Sequence, residues 1–92
     1  MFKKPRVNVI ESDEGFSVEV LGRTGLLYTE GSRSLHIDSE VSSATEIAVF
    51  KKSIRTWDPP YNEEIIDDNK RDTIIENMRR AFQSQGKGIS VW

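Results

Sequence analysis

Asp67-Asp68-Asn69-Lys70-Arg71-Asp72-Thr73-Ile74-Ile75-Glu76-Asn77-Met78-Arg79-Arg80-Ala81-Phe82-Gln83-Ser84-Gln85-Gly86 is the one stretch of the chain with a helical rhythm. Ile74, Ile75, Met78, Ala81 and Phe82 recur at i, i+1, i+4, i+7 and i+8, which sets them on a single stripe. Lys70, Arg71, Glu76, Arg79 and Arg80 fall largely off that stripe. Asp67, Asp68 and Asn69 offer N-cap oxygens, and acids suit the positive end of a helix dipole. Gly86 can end the helix by taking the left-handed conformation. The spacing predicts a helix of about 18 residues, roughly 27 Å long. Its apolar stripe needs one partner.

Upstream, the rhythm changes to period two, which builds that partner. Val7 and Val9 share one face of a short strand, and Ser12-Asp13-Glu14-Gly15 is a turn cluster. Phe16, Val18 and Val20 line the next strand, with Ser17 and Glu19 on its other side. Gly22 and Gly25 bracket a turn before Leu26-Leu27-Tyr28-Thr29, and Glu30-Gly31-Ser32 turns the chain back. Leu35 and Ile37 face inward on the following strand, while His36, Asp38 and Glu40 face the other way. Ser42 and Ser43 form a loop before Glu46-Ile47-Ala48-Val49-Phe50. Trp57-Asp58-Pro59-Pro60-Tyr61 excludes helix and reads as a stiff, exposed connector. Ile89, Val91 and Trp92 form a short closing strand.

The fold class is therefore α+β. An antiparallel meander of five or six short strands packs one face on one C-terminal helix, in a single domain spanning residues 1–92. The other sheet face is left solvated or free to dock.

Composition narrows the function. Leu, Ile, Val and Phe number 24 among 92 residues, too many for a disordered tail at a net charge of −2. A core of this size leaves little stability to spend on a large internal cavity. The absence of cysteine removes thiol catalysis, thiolate metal sites and disulfides, and tilts the expected address toward the cytoplasm. Ile47-Ala48-Val49-Phe50 is the longest apolar run, against about 20 residues for a membrane span. His36 is the only histidine, and no Gly-x-Ser-x-Gly elbow, P-loop or Gly-x-Gly-x-x-Gly is present. No catalytic residue, metal site or cofactor is assigned.

Four constellations remain. Charge is uneven: +3 over residues 1–10, −6 over residues 11–50 and +1 over residues 51–92. An acidic sheet speeds encounter with a basic partner and repels nucleic acid, though carboxylates also serve simply to keep a sheet face soluble. His36-x-Asp38-x-Glu40 puts an imidazole and two carboxylates on one side of a strand, roughly 7 Å apart. Three groups in a line are too spread to share one ion, so they read as outward contacts for a partner. Lys51, Lys52, Arg55 and Trp57 mix basic and aromatic residues as a nucleic-acid binder does, but the set is small in an acidic protein. Arg55, Trp57, Asp58 and Tyr61 around the two prolines have the composition of a binding hot spot. For Trp57 the competing reading is that it covers one end of the core.

Gly22-Arg23-Thr24-Gly25-Leu26-Leu27-Tyr28-Thr29-Glu30-Gly31, Leu35-His36-Ile37-Asp38-Ser39-Glu40, Ile54-Arg55-Thr56-Trp57-Asp58-Pro59-Pro60, and a C-terminal helix with Ile75 and Arg79-Arg80 follow one another in an order that resembles the immunity protein 74 family of bacterial polymorphic toxin systems. The likeness runs over about residues 18–86. It implies a non-catalytic protein that binds and neutralises a cognate toxin. A nuclease, with its positive substrate groove, is the toxin class that an acidic sheet would suit. The expected contacts, taken from surface chemistry alone, are His36, Asp38, Glu40, Arg55, Trp57, Asp58 and Tyr61. A self-associating or generic protein-binding regulatory domain stands as the alternative, with a nucleic-acid-binding module behind it.

Overall fold

The alternating half of the chain closes into one curled sheet, described with the rest of residues 1–92 by a computed structural model. Its strands are β1 (Phe2–Arg6), β2 (Val9–Ser12), β3 (Phe16–Val20), β4 (Thr24–Glu30), β5 (Arg33–Ser43), β6 (Glu46–Val49) and β7 (Gly88–Val91), lying in that spatial order. The single α-helix, α1 (Asp68–Gln83), falls between β6 and β7. Neighbours from β1 to β6 pair antiparallel, as a meander of hairpins must.

Two expectations need correction. There are seven strands, not five or six, because residues 2–12 form a hairpin rather than one strand through Val7 and Val9. Val7 sits in its turn, 88% exposed. Lys3-Lys4-Pro5-Arg6 shows no alternation, so β1 is invisible to a period-two search; what ties it down is Phe2, edge-on to Phe16 at 6.1 Å. The closing strand, in addition, runs parallel to β6, not antiparallel. A parallel return needs a long crossover, and the connector plus α1 supplies one.

The predicted helix stripe is buried in full: Ile74, Ile75, Met78, Ala81 and Phe82 all face the sheet. They meet Ile10, Phe16, Val18, Leu26, Tyr28, Leu35, Ile37, Ile47, Val49 and Ile89 in one core. Asp67 caps the helix, accepting from the Lys70 N–H at 2.7 Å. The far end closes with Gly86 at φ +75°, where the Gly86 N–H donates to the Gln83 carbonyl at 3.0 Å and the Lys87 N–H to the Phe82 carbonyl at 2.9 Å. That pair of bonds is a Schellman motif.

Tyr28 is the polar exception inside the core. Its ring stacks on Phe16 at 5.8 Å and on Trp57 at 6.4 Å. Its hydroxyl accepts from Asn77 Nδ2 at 3.0 Å and donates to Glu30 Oε1 at 3.3 Å. Burial pushes that hydroxyl well above its ordinary pKa, so it stays a donor. Around it, three cations reach across from other elements: Lys70 to Glu30, Arg80 to Glu14, and Arg33 to Glu64.

Gly86 and the two arginine clamps yield separate predictions. A Cβ on Gly86 meets open space, so only backbone hand opposes it. Gly86→Ala is expected to lower the unfolding free energy by about 1–2 kcal/mol in urea titration, and Gly86→Asn by less, since asparagine tolerates the left-handed region. Equal losses would exclude the backbone explanation. Glu14 and Glu64 are held below the ordinary glutamate value of 4.5, chiefly by hydrogen bonds from Arg80 and Arg33. The unfolded chain therefore binds protons first as pH falls, and the stabilisation, complete above the ordinary value, is lost on the way down through the folded one. The urea midpoint should fall from about pH 5 to about pH 3, and the Glu14→Gln/Glu64→Gln variant should show a shallower fall over that window.

Candidate functional site

Alternation that buries one side of the sheet leaves the other uncovered, since α1 occupies only the inner side. Along β5, Leu35, Ile37 and Ser39 go inward while His36, Asp38 and Glu40 stand exposed on the outer face, as the sequence predicts. On β6 the same parity puts Glu46 and Ala48 outward, and register sets Ala48 opposite Glu40. Phe50 continues that side in extended conformation at φ −96°, ψ 100°. Trp92, 69% exposed, hydrogen-bonds Ser90 at 3.3 Å two residues earlier.

β5 is longer than its neighbour. β4 pairs with it from Arg33 to Glu40, but β6 covers only Ser39 to Ser43. The remaining edge is sealed by loop residues. The Asp58 N–H donates to the Ser34 carbonyl at 2.8 Å, and the His36 N–H donates to Asp58 Oδ1 at 3.4 Å. Farther along, the Asp38 N–H donates to Ser53 Oγ at 2.9 Å, and the Phe50 N–H to the Asp38 carbonyl at 3.0 Å. Asp58 also takes the His36 ring, with Nδ1 and Oδ2 2.5 Å apart. The imidazole remains 65% exposed and its Nε2 has no partner in the chain. An imidazole held by a carboxylate is half of a hydrolytic relay, but no hydroxyl bonds Nε2 to complete one. No group of three or more acidic or imidazole side chains converges to hold a metal ion.

The seven expected contact residues thus separate. His36, Asp38, Glu40 and Asp58 share one surface. Tyr61 lies half-buried to one side, under the Arg33 guanidinium at 4.3 Å, with its hydroxyl 3.4 Å from Ser32 Oγ. Arg55 is exposed in a different place, a groove shared with Lys51 and Lys52. Trp57 is only 6% exposed and stacks on Tyr28; it covers the core and offers a partner little. The connector is therefore pinned at Trp57 and not exposed throughout, as its prolines alone suggested. Glu46, Phe50 and Trp92 were missed as companions of the outer strip. Alternation against Ile47 and Val49 places Glu46 and Phe50 outward; where they fall along β5 depends on a register that no local pattern fixes.

Most acids elsewhere are neutralised. Glu14, Glu30 and Glu64 face cations, as do Glu19, Asp68 and Glu76. Asp38, Glu40 and Glu46 pair with none, so the outer strip carries uncompensated negative charge.

The immunity protein 74 family matches residues 17–91, from β3 through the closing strand. The chain belongs to that family. The β1–β2 hairpin lies outside the matched span. No curated protein and no solved structure matches the chain. Membership accords with a site of exposed contact groups, and no helix is long and apolar enough to cross a membrane.

The edge seal makes a specific prediction. Asp58→Ala removes the acceptor of the His36 amide, so hydrogen exchange at that amide should accelerate about three- to tenfold, the range of one net hydrogen bond. His36→Ala leaves the acceptor in place and should leave exchange at position 36 nearly unchanged. Equal acceleration in both variants would mean that the ring pair, not the backbone seal, orders this edge.

Proposed function

We propose that this protein binds and neutralises a cognate toxin domain by occlusion, without chemistry of its own, in the cytoplasm of a bacterium that makes the toxin. The observation that carries the reading is the strip of Asp38, Glu40 and Glu46, three carboxylates left without cations on the face that the helix does not cover. Carboxylates keep a solvated face soluble, and a positive partner surface gains encounter rate and orientation from three that lack cations. Family membership supplies the class of partner. His36 and Asp58 extend the strip along the edge of β5, and Tyr61 stands beyond them.

Size fits occlusion. A standard interface covers about 800 Å² on each partner, roughly one seventh of the 5658 Å² that this chain exposes. The outer faces of β5 and β6 and the adjoining connector can provide it. We infer further that the blocked surface of the toxin is cationic, as the substrate groove of a nuclease is.

The test uses the toxin-like product of the adjacent reading frame. Co-expression should rescue growth, and the purified pair should associate with an on-rate that falls as salt rises. Asp38→Lys/Glu40→Lys should weaken binding at least tenfold and abolish rescue while leaving the urea midpoint within experimental error. Unchanged affinity in that variant, or an on-rate indifferent to salt, would refute the acidic strip as the contact.

A further inference from the structure

A groove at the start of α1 carries charge of the opposite sign. It encloses about 640 Å³ and is lined by Lys51, Lys52, Arg55, Asp68, Arg71 and Asp72, with no apolar side chain among them. Arg71 is fixed in its wall: Nε donates to the Ile54 carbonyl at 2.9 Å and Nη1 to Asp68. Lys51, Lys52 and Arg55 make no ion pair and no side-chain hydrogen bond. With Asp68 committed to Arg71, the free groups are three cations against one carboxylate, Asp72.

These cations are badly placed for the fold alone. They gather beside the positive end of α1, where a cation is disfavoured. Asp67 already occupies the Lys70 N–H of the helix, so that amide is not free for a ligand. The groove is also preformed. Ser53 Oγ ties the 3-10 turn Lys51–Ser53 to the Phe50 carbonyl at 2.7 Å and accepts from the Asp38 N–H, and Ile54 behind it is fully buried. The backbone needs little ordering on binding, and the entropy cost falls on the three free side chains.

We propose that this groove is a second contact surface, which receives a carboxylate-bearing segment of a protein partner. A nucleic-acid strand fits less well. It brings a charge at every unit, whereas Asp68 and Asp72 interrupt the lining and the whole chain is acidic at −2. A protein segment presents separate carboxylates that settle on Lys51, Lys52 and Arg55 while avoiding Asp72. The turn that carries the lysines abuts β5 at Asp38, so a partner on the outer strip reaches the groove around one corner. Identifying that partner with the toxin rests on the reading above; the preference for carboxylates does not.

The experiment has two arms. In the first, ¹⁵N-labelled protein is titrated with a peptide of spaced glutamates, (Glu-Ser-Gly)₄, with a twelve-residue oligothymidylate, and with inorganic phosphate. The peptide should shift the amides of Lys51, Lys52, Arg55 and Asp72 saturably, and Lys51→Glu/Lys52→Glu should loosen it at least tenfold without moving the urea midpoint. No saturable shift, or a shift that survives the double variant, overturns the proposal. Tighter binding of the oligothymidylate or of phosphate overturns it in favour of a phosphate site. In the second arm, Lys51→Glu/Lys52→Glu is measured against the toxin. Weakened binding joins the two surfaces; wild-type affinity excludes the toxin as the occupant. A wild-type chain that ignores the toxin condemns the functional reading and leaves the peptide arm to decide the groove.

Discussion

An eleven-residue strand beside a four-residue neighbour leaves backbone groups that something must satisfy, and this constraint organises much of the molecule. β5 is paired by β4 from Arg33 to Glu40 but by β6 only at its far end, from Ser39 to Ser43. An open edge of N–H and carbonyl groups is a template for stray pairing. Here the connector lies along it. Asp58 acts as a surrogate strand residue, giving its N–H to Ser34 and accepting from His36 with its carboxylate. Trp57, one residue before, is drawn beneath and completes the aromatic stack over Tyr28. The seal thus sets the burial of Trp57, the position of the imidazole and the approach of the 3-10 turn to Asp38 in one step.

Charge counted along the chain and charge exposed in space differ for the same reason. Residues 11–50 sum to −6, yet Glu14, Glu19 and Glu30 in that span are answered by Arg80, Arg6 and Lys70. Arg80 and Lys70 come from the helix, which lies on the inner side and reaches the sheet's rim from there. Exposed ion pairs of this kind contribute little stability each. Their larger effect is on distribution: they neutralise Glu14, Glu19 and Glu30 and leave Asp38, Glu40 and Glu46 on the outer strip without ion pairs.

The sequence disclosed what local periodicity can encode. The stripe from Ile74 to Phe82 and the outward parity of His36, Asp38 and Glu40 follow from the 3.6 and 2.0 repeats, and the turns follow from glycines that take positive φ. β1 was hidden because Lys3, Lys4, Pro5 and Arg6 protect an edge and carry no buried face. The direction of β7 was hidden because a strand's own pattern is the same whether its neighbour runs with it or against it. The connector residues look like one hot spot in the sequence, but the fold sends Trp57 inward, Asp58 to His36, Tyr61 under Arg33 and Arg55 into a separate groove. Only pairing across the chain decides such destinations, and it is equally what sets Ala48 opposite Glu40 and Glu46 opposite Ser43.

Two opposite surfaces meeting at one turn also bear on selectivity. A partner that presented only a basic face would be drawn to Asp38, Glu40 and Glu46 and repelled a few residues away by Lys51, Lys52 and Arg55. A partner with a carboxylate placed to enter the groove would gain at both. Like-charge contact is the cheaper way for a small interface to reject wrong partners, because it needs no extra area. On the reading proposed here, the acidic strip sets how fast a toxin arrives. The basic groove sets which toxin stays, and the fixed turn between them makes the two requirements a single geometric one.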